Sequence, residues 1–254
     1  MSCQNFAGKL DYDKVETKII NWIKEKVQEA GMEGAVVGLS GGIDSAVTSL
    51  LCQKAFPNHF LAVILPCNSQ QQDIIDAENF AKENDFDYLV KDLSSVLEEM
   101  LVTLTGNKTA KNKLSVVNIK PRLRMTVLYY YAAENNYLVV GTDNWSELKV
   151  GYFTKHGDGG VDIAPLGTLV KTEVRQLASH LNIPHKIINK PPSAGLWEGQ
   201  TDEEELGISY QELDKYILTG KAQKDTRKKV EKMADNNRHK LEPIPVPDRS
   251  LFIS

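Results

Sequence analysis

Apolar side chains at Val15, Ile19, Ile20, Trp22, Ile23 and Val27 recur at helical spacing, so residues 14–29 predict an amphipathic helix ending near Gly31. Ala35–Leu39 is then an unbroken apolar run, the pattern of a strand buried on both faces, and Phe60–Leu65 repeats it. Between them Ser45–Ala55 reads as a helix that must stop before Pro57. A second helix over Asp73–Asn84, a short strand at Tyr88–Val90 and a helix over Ser95–Leu104 follow, then a polar, lysine-rich loop at 106–113. Arg122–Asn135 predicts a helix leading into a strand at Tyr137–Val140. In its Tyr129-Tyr130-Tyr131 run, two of the three rings share an inward arc, which points to packing on a sheet. Thr172–His180 predicts a further helix, and Ile187-Ile188 a last strand. Lys221–Lys240 is basic but interleaved with Asp225, Glu231 and Asp235, the mark of a solvated helix face.

Repeated strand–helix alternation implies an α/β fold: a Rossmann-like, doubly wound parallel sheet, here as a single domain over residues 1–254. Ligands of such sheets bind outside the carboxyl ends of the strands. The loops Ser40-Gly41-Gly42, Pro66-Cys67-Asn68 and Gly141-Thr142-Asp143 should therefore line one crevice.

The first of these loops carries the strongest chemistry. Val36-Val37-Gly38-Leu39-Ser40-Gly41-Gly42-Ile43-Asp44-Ser45 runs from a strand through a glycine turn into a helix. Unpaired N–H groups of a first helical turn make a ready anion site. A carboxylate placed there makes sense when the anion arrives with a divalent cation, which points to a nucleoside triphosphate or pyrophosphate. No lysine follows the glycines as in a Walker loop, and the offsets of Gly38, Gly41 and Gly42 do not fit the dinucleotide fingerprint. Ser40 and Asp44 as mere helix caps is the plain alternative.

Composition narrows the class. The chain has 254 residues, 41% hydrophobic and 25% charged, the profile of an ordinary globular protein. No apolar run reaches the ~18–20 residues a membrane span needs, and residues 1–13 lack the order of a secretory signal. A net charge of −4 argues against a nucleic-acid partner. Cys3, Cys52 and Cys67 have no C-x-x-C spacing, and Cys52 falls in an apolar helical stretch as a buried thiol, so a cytoplasmic enzyme is expected. His59, His180 and His185 share no zinc-ligand spacing.

A second informative region spans Gly141–Asp162. Glu147 follows the fourth strand closely enough to return to the crevice of Asp44, and two carboxylates facing a polyphosphate are what Mg²⁺ requires. Lys155 lies among Gly151, Gly157, Gly159 and Gly160, a composition that predicts a flexible cover closing over the ligand.

The Ser40–Ser45 loop is similar to the S-G-G-x-D-S loop of the PP-loop ATP pyrophosphatases, which split ATP between the α and β phosphates. Together with Asn118-Ile119-Lys120-x-Arg122, Gly141-Thr142-Asp143, Phe153-Thr154-Lys155-x-Gly157-Asp158-Gly159-Gly160, Pro165-Leu166-Gly167 and Lys171-Thr172, the chain resembles the NAD synthetase family. Lys190-Pro191-Pro192-Ser193-Ala194, Leu196, Gln200-Thr201-Asp202-Glu203 and His239-Lys240 extend the resemblance over nearly the whole chain. It implies an adenine nucleotide alpha hydrolase-like fold and a ligase that amidates deamido-NAD. In that reaction the nicotinate carboxylate attacks the α-phosphate of ATP, pyrophosphate leaves, and ammonia displaces AMP.

By the same resemblance, Gly38, Leu39, Ser40, Gly41, Gly42, Ile43, Asp44, Ser45, Thr142, Lys171 and Ser193 bind ATP, with Asp44, Lys171 and Ser193 catalytic. Asp44 and Glu147 hold Mg²⁺, while Arg122, Lys155, Asp162, His239 and Lys240 hold deamido-NAD. A homodimer is implied, with the dinucleotide across the interface. Glutamine-using members carry a separate amidase domain for which this chain has no room, so ammonia is the expected nitrogen donor. Two departures stand out: Ser193 replaces the usual threonine, and Asn144-Trp145-Ser146 replaces smaller or histidine-containing residues, which bears on the shape around Trp145. The rivals are a tRNA-thiolating or GMP-forming PP-loop enzyme and a non-catalytic nucleotide-binding module.

Overall fold

The computed structural model describes residues 10–108, 113–192 and 201–253. Helix α1 (Tyr12–Glu29) leads into β1 (Gly34–Gly38), α2 (Ile43–Ala55), β2 (Phe60–Ile64), α3 (Gln71–Glu83) and β3 (Tyr88–Val90). The chain continues through α4 (Ser94–Thr105), α5 (Lys113–Val117) and α6 (Ile119–Asn135) to β4 (Tyr137–Val139). Beyond the sheet come α7 (Trp145–Val150), α8 (Lys171–His180), α9 (His185–Ile188), α10 (Asp202–Leu206), α11 (Tyr210–Thr219) and α12 (Lys224–Leu241).

The four strands are all parallel, in the order β3-β2-β1-β4. Side chains alternate across the sheet, so both of its faces are buried. Ala35 and Val37 of β1 pack in a cluster with Ile23 and Val27 of α1, Val47 and Leu51 of α2, and Val174 and Leu177 of α8. Val36, with Val63 and Val139, instead meets Leu97 and Leu101 of α4 and Ala132 of α6. This explains why the strands read as unbroken apolar runs rather than as alternating ones. Tyr129 and Tyr131 pack on the second cluster, whereas Tyr130 is 57% exposed, as the inward arc predicts. A third cluster of Val150, Leu206, Ile208, Tyr210, Leu213 and Val230 gathers α7, α10, α11 and α12 beside the sheet.

From β1 the chain moves outward through β2 and β3, then returns to place β4 on the other side of β1. The connections therefore diverge at the carboxyl ends of β1 and β4, and a crevice opens there.

One expectation needs correcting. Ile187-Ile188 is not a strand: the backbone enters a short helix at Pro184, and Ile187 plugs the first cluster at 1% exposure. Two adjacent apolar residues cannot distinguish a strand from a buried helical turn. The edge of the sheet instead gains a single parallel bridge, Val140 to Ile163. The glycine-rich segment is packed against its neighbours rather than standing free of the core. An added Cβ at Gly157 would meet Pro121 Cβ and Thr154 Cβ at 3.0 Å, and one at Gly159 would strike the Phe153 ring. These glycines permit close packing on α6 and on the segment's own aromatic ring.

Candidate active site

At the carboxyl end of β1, Leu39 N–H still bonds Val63 O at 2.9 Å, and the chain then leaves the sheet. Gly41 turns with φ +78°, and a Cβ there would lie 2.5 Å from Asp73 O, so only glycine fits. The hydroxyls of Ser40 and Ser45 lie 3.0 Å apart, and Ser45 Oγ donates to Gly42 O at 2.9 Å. Gly42 is the N-cap of α2 and no side chain caps that helix, whose first-turn N–H groups lack intrahelical partners. Asp44 stands in that first turn, where helix polarity favours a negative charge.

Beyond β4, Asn144 starts α7 and forms a reciprocal cap with Glu147. Asn144 Oδ1 accepts from Glu147 N at 3.2 Å, and Glu147 Oε2 accepts from Asn144 N at 3.1 Å. The cap fixes one oxygen of Glu147 and leaves Oε1 facing inward. Asn144 Nδ2 also donates to Asp44 Oδ1 at 3.0 Å. Trp145 at the helix start is therefore accommodated without displacing Glu147.

The two carboxylates converge on one cation. Lys171 Nζ, at the first residue of α8, lies 2.5 Å from Asp44 Oδ2 and 3.2 Å from Glu147 Oε1. Its side chain is 2% exposed and its ammonium sits 5.0 Å from the centre of the Tyr210 ring. Burial pulls the Lys171 pKa down, but Asp44 and Glu147 outweigh it and hold the amine charged. Burial pushes Glu147 up to about 7 against the pull of Lys171. Asp143, 8% exposed beside them, is pushed well above the carboxylate range by burial and then by Asp158 and Glu147.

Around this centre lies a cavity of about 550 Å³ lined by Gly38, Leu39, Ser40, Gly42, Ile43, Asp44, Ser45, Thr142, Glu147 and Lys171. Gly41 faces α3 instead of the cavity. The crevice foreseen at the strand ends is present, with Gly141, Thr142 and Asp143 all lining it, but of Pro66-Cys67-Asn68 only Pro66 does. Ser193 lies outside the described residues.

Of the residues expected at the second substrate, Arg122, Lys155, His239 and Lys240 form a neighbouring group, of which Lys240 lines the same cavity, while Asp162 is held separately at the sheet edge. Arg122 donates through Nε and Nη2 to Lys155 O at 3.3 and 3.2 Å, and Lys155 Nζ reaches His239 O at 2.5 Å. Lys240 Nζ bonds Gly151 O and Phe153 O at 2.7 and 2.9 Å. Asp162 is tied to the edge of the sheet, accepting from Val139 N at 2.8 Å and Tyr129 OH at 3.0 Å. Sequence reasoning brought these together only through the family resemblance.

Several residues escaped it. Tyr210 OH lies 3.0 Å from Asp202 Oδ2 and 3.3 Å from Glu147 Oε1, with one proton to share between them, and nothing in the sequence marks this tyrosine. Arg124 reaches the cavity and is anchored on Leu65 O and Ser69 Oγ at 3.0 and 3.1 Å. Lys190 Nζ joins the glycine turn to α3, donating to Gly41 O at 3.4 Å and pairing with Asp73 at 2.5 Å and Asp76 at 3.2 Å.

A buried lysine clamped by two carboxylates stands beside the glycine turn. Comparison with known proteins shows the family to which this fold belongs. The family model for NAD synthase matches residues 15–244. The chain belongs to the NAD synthase family. It is 47% identical to the NH(3)-dependent NAD(+) synthetase of Carboxydothermus hydrogenoformans, covering 94% of this chain and 99% of that one. The corresponding enzyme of Archaeoglobus fulgidus is 44% identical over 93% of this chain and 97% of its own. Among solved structures, the NMN synthetase of Francisella tularensis superposes with a TM-score of 0.89 at 36% identity, covering 94% of this chain and all of that one. The NH3-dependent NAD synthetase of Campylobacter jejuni gives 0.77 at 29% identity, with 94% and full coverage. Members of the family are ligases that amidate deamido-NAD with ATP as co-substrate, and this chain is an ATP-consuming ligase of that kind.

Proposed function

We propose that the chain amidates deamido-NAD in two steps within this crevice, with the residue roles that follow. Gly38–Ser45 and Thr142 cradle the ATP phosphates, with Ser193 as a further contact. Lys171 stabilises the charge that develops at the α-phosphate as the nicotinate carboxylate attacks. A preformed, water-poor cation is worth far more to such a transition state than one in bulk water. Arg122, Lys155, Asp162, His239 and Lys240 bind the dinucleotide, and ammonia then displaces AMP.

Asp44 and Glu147 fit Mg²⁺. Both are hard oxygen donors and both turn toward a single point now satisfied by the Lys171 ammonium. Mg²⁺ usually takes one or two protein carboxylates and completes its shell with phosphate oxygens and water, which suits this pair. Bound there, the ion would neutralise the departing pyrophosphate.

The synthetase domain draws on ammonia in our reading. The 99% coverage of an ammonia-dependent relative supports this. A homodimer is proposed from the exposed Val96, Leu104, Leu114 and Tyr130 on α4–α6. The site is proposed to work in the cytoplasm. No helix among the described residues is long and apolar enough to cross a membrane, and Cys52 and Cys67 are buried free thiols.

The observation that carries the reading is the Asp44–Lys171–Glu147 clamp at the glycine turn. A second acceptor, nicotinate mononucleotide, is favoured by one finding: the likeness to the NMN synthetase. Pyrophosphate release would be measured with deamido-NAD, nicotinate mononucleotide, a GMP precursor or no acceptor. Release that depends on deamido-NAD is expected. Stronger release with the mononucleotide would shift the reading to the smaller acceptor, and release without any acceptor would end it.

A further inference from the structure

Lys171 is placed at the start of a helix, where the positive end of the backbone dipole opposes an ammonium group. The N-cap of α8 is Val170, whose side chain can accept no hydrogen bond. The helix start is nevertheless satisfied from elsewhere. Asp214, on α11 and 0% exposed, accepts Thr172 N–H on Oδ2 at 2.7 Å and Ser146 O–H on Oδ1 at 2.5 Å. Ser146 Oγ in turn accepts Lys171 N–H at 3.0 Å. One buried carboxylate therefore caps α8 directly at its second residue, and at its first through a hydroxyl.

Ser146 is also the residue before Glu147 in α7. The same carboxylate thus ties the helix that carries Glu147 to the helix that carries Lys171. It does so from α11, whose Tyr210 packs under the Lys171 ammonium. We propose that Asp214 is a positioning residue that holds Lys171 against Asp44 and Glu147. It touches no reacting atom and acts through the two helix starts. The inference rests on the reading of Lys171 as the group that serves the α-phosphate, but its geometric part can be tested separately.

The test is Asp214→Asn in the full chain, read in two ways. Brief acetic anhydride treatment followed by peptide mass spectrometry reports how accessible each lysine amine is. Lys171, now 2% exposed at its side chain, should gain label at least fivefold, while Lys120, 7% exposed on α6, keeps its low reactivity. Steady-state kinetics should show kcat reduced at least tenfold with KM for ATP changed less than threefold, because substrate contacts survive and transition-state contact does not. A parallel rise at Lys171 and Lys120 would mean general loosening and would overturn the proposal, as would no rise at either. Labelling that rises at Lys171 alone with kcat unchanged would leave the positioning intact and remove Lys171 from catalysis. Should Asp214→Asn not fold, Ser146→Ala decides: a selective rise of threefold or more at Lys171 supports the proposal, and none overturns it.

Discussion

The Lys171 ammonium and the Asp44 carboxylate stand 2.5 Å apart although 127 positions separate them in the chain. Asp44 is placed by the glycine turn after β1, and Lys171 by the start of α8, so the pair exists only once the sheet has assembled. Glu147 shares the same ammonium at 3.2 Å. The one buried base offsets part of the charge of the two partly buried acids, which helps make a charged site tolerable there.

Asp44→Asn tests that relationship. The amide keeps the shape and one acceptor but removes the charge from Lys171 and from the proposed magnesium. Deamido-NAD-dependent pyrophosphate release should fall by about 100-fold or more, the scale seen when one preorganised charge is lost. Stability should fall by only about 1–3 kcal/mol in urea unfolding, because Glu147 still faces the amine. Near-normal turnover would remove Asp44 from the site.

Much of this was legible beforehand because the signals were local. The unbroken runs at Ala35–Leu39 and Phe60–Leu65 gave two strands, and the Ser40–Ser45 loop located the phosphate end of the crevice. What escaped depends on side chains meeting across the fold. Nothing near Tyr210 or Asp214 in the sequence says that one lies beneath Lys171 and the other caps its helix. Glycine content left a related question open: composition cannot separate a residue kept small for motion from one kept small for contact. Ile187 misled because burial by a helical turn and burial by a strand leave the same apolar pair.

Glu147 sets a pH dependence for the metal-free protein. Its folded pKa of about 7 lies above the ordinary 4.5, with burial as the main cause. The folded state therefore binds the proton more tightly than the unfolded chain. The resulting stability is fully present below about pH 4.5 and is lost as pH rises through about 7. With a chelator present, this group alone should cost on the order of 1–3 kcal/mol of unfolding free energy between pH 5 and 7.5. Glu147→Gln should flatten that part of the profile. Identical slopes for the two proteins in matched urea titrations would show that Glu147 titrates normally.

The packing of the glycine-rich segment gives the last prediction, Gly159→Ala. The added methyl would run into the Phe153 ring, meeting Cε2 at 2.7 Å. That ring is 9% exposed, and Lys240 Nζ lies 5.5 Å from its centre while bonding Phe153 O, so it has little room to retreat. Overpacking of this kind costs about 1–3 kcal/mol. If the segment were a loose cover, the methyl would swing into solvent, and the lower chain entropy of alanine would leave stability equal or slightly raised. The two accounts thus differ in sign. A midpoint shift to lower urea for Gly159→Ala, partly restored by adding Phe153→Leu, is expected from close contact. An unchanged midpoint would return the segment to the flexible reading that its composition invites. Restoration by Phe153→Leu must exceed the effect of that substitution alone, because only coupled sites depart from additivity.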